Sequence, residues 1–294
     1  MDKLDLLAER FEAHRPHLRA VGYRMLGSLS EADDAVQETW LRVSRADVGG
    51  VQNLAGWLTT VAGRVCLNML RSRNSRREEP LGVQMPDPVV SGVDDVDPAD
   101  QVLLSESVGL ALLVVLDALD PAERLAFVLH DMFSVPFEEI APIVERSTTA
   151  ARQLASRARR RVQQEAPMPD VDPVRQREVV DAFFAASRDG DFAALVAVLD
   201  PDAVLRSDGG FARPAASALL HGGPTIAKQA LTYGQLAPYI RPVLVNGAAG
   251  VVVAPHGTPV SVMAFTVRNG RIAAIDVLAD PARLEGLDVA VGEN

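Results

Sequence analysis

The sequence has one cysteine, Cys66, in 294 residues. That excludes an intramolecular disulfide and leaves no thiolate cluster for zinc, so a reducing, cytoplasmic setting is expected and no metal site follows. The start, MDKLDLLAERFEAHR, lacks the basic residues followed by an apolar stretch that mark a signal peptide. No clean membrane-spanning run is present either. From Pro242 to Val267 no Asp, Glu, Lys or Arg occurs. That run is punctuated by Asn246, Gly247, Gly250, Pro255, His256, Gly257 and Pro259, and the pieces between them alternate like strands of hairpins, which excludes a membrane span. Residues 78–110 carry 8 acidic residues and no basic one, a composition that repels DNA.

The length implies about two domains, possibly a third, at roughly 100–200 residues each. With 48% hydrophobic and 23% charged residues the chain is globular. A net charge of -10 argues against a generic nucleic-acid binder, but it conceals a partition: residues 1–77 hold 12 basic against 9 acidic residues. Residues 111–165 hold 7 against 8, and 166–294 hold 10 against 14. The basic residues gather at Arg71 to Arg77 and Arg157 to Arg161, each at the end of a helical pattern. Two basic helix ends separated by an acidic linker are an organisation that calls for an explanation.

The first unit reads as helices. Leu4, Leu7, Phe11, Leu18, Val21 and Met25 make one apolar stripe. Ser30 followed by Asp33 suggests a capped start to a second helix with Ala35, Val36, Thr39, Trp40 and Val43 inward. Gly49-Gly50 interrupts the pattern, and Asn53 caps a third helix with Leu54, Leu58, Val61, Val65 and Met69 on one side and Thr60, Arg64, Asn68 and Arg71 on the other. Residues 78–102, with four prolines and many Asp, have linker composition. Val108 to Leu119 is apolar nearly all round and therefore buried, and Asp120-Pro121 starts a capped helix. PFEEIAPIV, the turn ERS and TTAARQLASRARRRV outline a helix-turn-helix. Pro142 beyond the first turn requires the first of these helices to begin close to Pro136 or to kink.

After Pro167 to Pro173 the character changes. Helices are expected over Val174 to Ser187, Phe192 to Leu199 and Thr225 to Leu236. Strands are expected at Val204 to Arg206, Pro242 to Val245, Gly250 to Val253, Val260 to Val267 and Ile272 to Val277. Asn246-Gly247 and Asn269-Gly270 are hairpin dipeptides. Helices before an antiparallel sheet make an α+β domain.

Three stretches resemble a known family. EADDAVQETWLRV resembles the core-polymerase-binding helix of group IV (extracytoplasmic-function) sigma factors, NLAGWLTTVAGRVCLNMLRSRNSRRE their promoter-melting helix, and LDPAERLAFVLHDMFSVPFEEIAPIVERSTTAARQLASRARRRV their minus-35-reading domain. Residues from about 172 to 288 resemble the SnoaL-like (NTF2-like) extension of the SigJ/SigI type. The resemblance implies two all-α sigma domains, the second with a helix-turn-helix, followed by a cone-shaped α+β domain: residues 1–77 as region 2, 78–104 as linker, 105–166 as region 4 and 172–288 as regulatory extension. The linker text Gln84-Met85-Pro86-Asp87-Pro88 lacks the tryptophan of the family's Trp-Leu-Pro-Glu-Pro. Asp208-Gly209-Gly210-Phe211 stands for Asp-Gly-Gly-Gly, and Asp280-Pro281-Ala282-Arg283-Leu284 for Asn-Pro-Asp-Lys-Leu.

What it implies for function is an alternative sigma factor with core RNA polymerase and promoter DNA as partners, no cofactor, no catalytic residue and no membrane. Asp33, Asp34, Gln37, Glu38 and Leu41 are the expected polymerase surface. Thr60, Arg64, Asn68, Arg71 and Arg73, with the Ala46 to Asn53 loop, are expected at the minus-ten element. Ser147, Thr148, Thr149, Arg152, Gln153 and Ser156 are expected at base edges of the minus-35 element, with Arg157, Arg159 and Arg160 on phosphates. Asp208, Gly209, Gly210, Asp280, Pro281 and Leu284 are expected at a regulatory interdomain contact. Trp40 and Trp57 fit core roles better than stacking ones. The alternatives are a SnoaL-like enzyme or a ligand-sensing repressor, tethered to DNA by the helix-turn-helix. Asp208, His221, Tyr233 and His256 are the polar residues a catalytic pocket would use, though no acid–base pair has diagnostic spacing. Any small-molecule ligand of this domain is left open.

Overall fold

The computed structural model describes residues 3–46, 50–75, 85–93, 109–166, 169–170 and 172–287. Its contacts divide the chain into two units, Met1–Glu79 with Leu113–Glu165, and Pro80–Leu112 with Ala166–Asn294.

The first unit is helical. Helices α1 (Lys3–Leu26), α2 (Leu29–Val43) and α3 (Leu54–Ser75) enclose Leu7, Phe11, Leu18, Val36, Val43, Leu54, Leu58 and Ala62. Helix α2 begins earlier than its sequence suggests: the cap is Ser28, whose hydroxyl accepts from the Glu31 amide, and Ser30 lies inside the helix. Two serines two residues apart compete for one cap, and the one with extended backbone takes it. At α3 the Asn53 side chain accepts from the Gly56 amide at 3.0 Å.

Helix α4 (Leu110–Asp117) is followed by α5 (Pro121–Phe127), whose cap Asp120 accepts from the Ala122 amide. Chain continues through a π-helical turn, Val128–Met132, into α6 (Phe137–Val144) and α7 (Thr148–Glu165). Helix α6 starts directly after Pro136, so Pro142 sits near its end. Alanines 151, 155 and 158 of α7 are fully buried, and their small side chains let α7 pack against α5 and α6.

The second unit is a seven-stranded sheet of order β1-β4-β5-β6-β7-β2-β3. Its strands are β1 (Val90–Ser91), β2 (Leu199–Asp208), β3 (Ala218–His221), β4 (Ile240–Val245), β5 (Ala248–Val253), β6 (Ser261–Arg268) and β7 (Arg271–Leu278). Among the described strands only the β2–β7 pairing is parallel. Helices α8 (Pro173–Asp189), α9 (Phe192–Val198) and α10 (Gly223–Thr232) pack over a core that includes Val180, Phe183, Leu195, Ile226, Phe265 and Ile275. Helix α10 stops at Thr232 rather than Leu236, because the chain tightens into a 3-10 stretch at Gly234–Tyr239. Asn246-Gly247 and Asn269-Gly270 all have positive φ, as a primed hairpin turn requires. Strand β1 comes from residues whose composition reads as linker. It adds an edge to the sheet by pairing Val90 with Val245 and Ser91 with Leu244.

Candidate functional site

On α3, Arg64, Asn68 and Arg71 are exposed along one row. Thr60 is half-buried and donates its hydroxyl to the Trp57 carbonyl at 2.8 Å. Arg73 leaves the row to pair with Glu31 of α2. A cavity of about 580 Å³ opens beside this face. Asn53, Trp57, Thr60 and Arg64 line one side of it and Glu139 and Ile143 of α6 the other. Trp40 packs on Phe11 with ring centroids 5.1 Å apart, so it serves the core. Trp57 serves both, packing on that core while it lines the cavity.

Between α6 and α7, Glu145 takes the left-handed conformation, φ 58°, where glycine is the easier residue. The Ser147 hydroxyl accepts from the Ala150 amide at 3.2 Å and so begins α7. Ser147, Thr149, Arg152, Gln153, Arg157 and Arg160 are exposed, while Thr148, Ser156 and Arg159 are half-buried. Three arginines meet carboxylates within the same subdomain: Arg152 with Glu138 at 3.2 Å, Arg157 with Glu123 at 3.5 Å and Arg159 with Asp131. Each pair leaves guanidinium donors for a phosphate or a base.

On α2, Asp33, Asp34, Gln37 and Leu41 are exposed and Glu38 is half-buried. Asp33 accepts from Arg19 at 2.8 Å and Glu38 from Arg42 at 2.8 Å. Leu41 is 41% exposed on the same face as these acids.

In the second unit, Asp208, Gly210, Asp280 and Leu284 converge with a residue outside the expected set, Arg283. Arg283 donates to Asp208 Oδ2 at 2.8 Å, to Asp87 Oδ1 at 2.6 Å and to the Met85 carbonyl at 2.7 Å. The Met85 amide in turn donates to Asp208 Oδ2 at 3.0 Å. Gly210 has φ 60°, and a Cβ there would lie 2.1 Å from Asp280 Oδ2, so only glycine fits. Gly209 donates to the Ser217 hydroxyl at 3.0 Å. Asp280 and Pro281 cap and open helix α11 (Pro281–Glu285), and Leu284 is buried. Further along the linker, the Val89 amide donates to Asn246 Oδ1 at 3.1 Å and the Asn246 amide to the Val89 carbonyl at 2.8 Å. These contacts clasp residues 85–91 to the sheet.

Comparison with known proteins decides what this arrangement serves. Sigma-70 region 2 matches residues 10–76 and Sigma-70, region 4 matches 109–162. The chain is 35% identical over 294 residues to the probable ECF RNA polymerase sigma factor SigI of Mycobacterium tuberculosis, covering 99% of both. It is 38% identical to SigJ of the same organism, over 94% of this chain and 92% of that one. The chain belongs to the ECF RNA polymerase sigma factors. The crystal structure of Mycobacterium tuberculosis SigJ superposes with a TM-score of 0.79 at 36% identity, covering 96% of this chain and 99% of that one. As a sigma factor the chain binds core RNA polymerase and promoter DNA, and it carries a C-terminal mixed α/β sheet domain after its two sigma regions.

Three features of this sigma factor escaped sequence reasoning: Arg283 with Asp87 and Asn246 in the clasp, the α6 wall of the cavity, and the carboxylates paired with the α7 arginines. Arg283 had one available signal, as the basic residue of the Asp280 to Leu284 motif. In the extension, His221, Tyr233 and His256 are all exposed, while Asp208 is buried and bound by Arg283. Burial pushes the Asp276 carboxyl up and Arg206, 3.0 Å away, pulls it partly back, so this buried pair is internal to the sheet. Among the described residues no helix is long and apolar enough to cross a membrane.

Proposed function

We propose that this cytoplasmic sigma factor reads the minus-ten element with the α3 row and its cavity, reads the minus-35 element with α7, and is regulated through its linker by the NTF2-like extension. The observation that carries the regulatory reading is the clasp. A tether of acidic, proline-containing composition is free to hold its two helical domains at many separations. When one stretch is bound as an edge strand and by Arg283, fewer of those separations remain. The extension therefore biases the domain arrangement through contact alone and without turnover.

A non-catalytic extension fits the filling of its interior. Phe183, Phe184 and Phe265 meet edge to face, with centroids 5.3, 5.9 and 5.6 Å apart, so aromatic side chains pack against one another within the sheet-and-helix core. On this reading, residues 1–77 and 105–166 are the two promoter-recognition domains, 78–104 the linker, and 172–288 the regulator. Run-off transcription with purified core polymerase on a genomic fragment library tests it, using the full chain and a chain ending at Pro167. The truncated protein should initiate at the same promoters with severalfold altered yield. Equal yields would remove the regulatory role and reopen an enzymatic one.

A further inference from the structure

We propose that Phe137 and Glu138, the first two residues of α6, are positioning residues for promoter reading, holding the Arg152 guanidinium of α7 ready for a base edge. The proposal rests on the reading of α7 as the DNA reader. Arg152 projects with 59% of its side chain exposed, and a long arginine on a surface samples many rotamers. Here two contacts restrict it: its guanidinium carbon lies 5.7 Å from the Phe137 ring centroid, and Nη2 donates to Glu138 Oε1 at 3.2 Å.

Phe137 is itself held. Its ring stacks on His130 with centroids 3.8 Å apart and planes 30° apart, and His130 Nδ1 lies 3.0 Å from the Val135 carbonyl oxygen. His130 belongs to the π-helical turn Val128–Met132, whose wider hydrogen-bond spacing displaces side chains from ordinary α-helical positions. A stack of histidine, phenylalanine and arginine thus runs from that turn to the exposed side of α7.

An exposed ion pair and an exposed cation–π contact each contribute little to folding stability. Their value is preorganisation: the rotamers are narrowed before DNA arrives, so less freedom is lost on binding. Glu138 occupies one guanidinium nitrogen, and the remaining N–H groups form a fork that matches O6 and N7 of guanine. A carboxylate facing DNA otherwise repels phosphate, which makes Glu138 unfavourable there unless it serves an arginine.

The test is competition binding of the full-length protein, as holoenzyme with core polymerase, to duplexes randomised across the minus-35 element. Arg152→Ala should lower the preference for guanine at one base pair about tenfold. Phe137→Leu and Glu138→Ala should weaken preference at that same base pair severalfold, and neither should add to Arg152→Ala in the double variant. Phe137→Tyr should restore the preference, since it keeps the stacked ring, and thermal melting of Phe137→Leu shows that the domain is folded. Uniform weakening on all sequences, a shifted preference elsewhere, or effects that multiply with Arg152→Ala would overturn the positioning role while leaving the α7 reading intact. If Arg152→Ala itself changes no base preference, the reading of α7 at this residue fails and the proposal falls with it.

Discussion

Replacing Arg283 with alanine should loosen the hold of the sheet on the 85–91 segment. The guanidinium joins three acceptors, Asp87, Asp208 and the Met85 carbonyl, at 2.6 to 2.9 Å. Hydrogen bonds to charged groups contribute roughly 1.5–3 kcal/mol each when well buried. The Arg283 and Asp87 side chains are each 24% exposed, and one guanidinium serves all three acceptors, so about 2–3 kcal/mol for the set is the reasonable total. Asp208 is not stranded by the change, because the Met85 and Gly210 amides still donate to it. What then holds the segment is the Val89–Asn246 exchange and the two-residue β1–β4 ladder. At 1.4 kcal/mol per factor of ten, opening of the segment becomes about 30- to 150-fold more frequent. Hydrogen exchange at the Met85 and Val89 amides should accelerate by that factor while the β6–β7 amides keep their protection, and transcription from a cognate promoter should change severalfold. Unaltered exchange at Met85 and Val89 would refute the clasp as an energetic unit.

The triple variant Asp34→Ala, Gln37→Ala, Glu38→Ala should remain folded and lose co-purification with core polymerase; retained binding would sink that surface. Asn68→Ala should spare duplex binding and reduce open-complex formation, seen as diminished permanganate reactivity at the minus-ten element. Asp170 accepts from the Gly270 and Asn269 amides, each at 2.8 Å, and these bonds hold its carboxyl below the usual 3.8. Because the folded value is the depressed one, its stabilisation is complete above the ordinary Asp range and is lost as pH falls through the folded value. The stability difference between wild type and Asp170→Asn in urea melts should therefore shrink on acidification below about pH 4, and parallel pH curves would contradict it.

How far the sequence could be read depended on the range over which each feature is determined. The Asn-Gly turns were legible because positive φ at two successive residues selects those side chains locally. Asp120-Pro121 and Asn53 were legible as caps for the same reason. Ser28 against Ser30 was decided by backbone geometry that the two residue names share. The clasp joins Met85 to Asp208 across 123 positions and to Arg283 across 198, and no local pattern encodes such a pairing. Composition even obscured it: proline and aspartate suit a free tether, and they equally suit an edge segment where Pro86 and Pro88 need no ladder donors. The Phe137–Arg152 contact was hidden likewise, since each residue alone reads as ordinary helix content.

If α3 and α7 read the promoter as proposed, the first unit holds those two surfaces too close together for it. The names of the two elements separate them by about 25 base pairs, which at 3.4 Å per base pair is roughly 85 Å. In the protein, α3 and α6 share one cavity, Arg71 on the exposed α3 row lies 4.0 Å from Glu145 in the turn before α7, and Arg124 donates to the Arg24 carbonyl at 3.3 Å. The approach is close because position 63 is glycine; a Cβ there would lie 2.9 Å from Leu129 Cδ1. Glu139 and Ile143 then form a wall of the cavity that the proposed reading assigns to an unpaired minus-ten base. Promoter binding on our reading thus requires regions 2 and 4 to separate, and the chain joining them is the segment that Arg283 and Asn246 grip. On that reading, a ligand, partner or polymerase contact that favours the released linker favours separation by at most its differential affinity for the two linker states. On the proposed regulatory reading, the clasp and the cavity are thus coupled through one covalent linker, the segment that carries the bonds to Arg283 and Asn246.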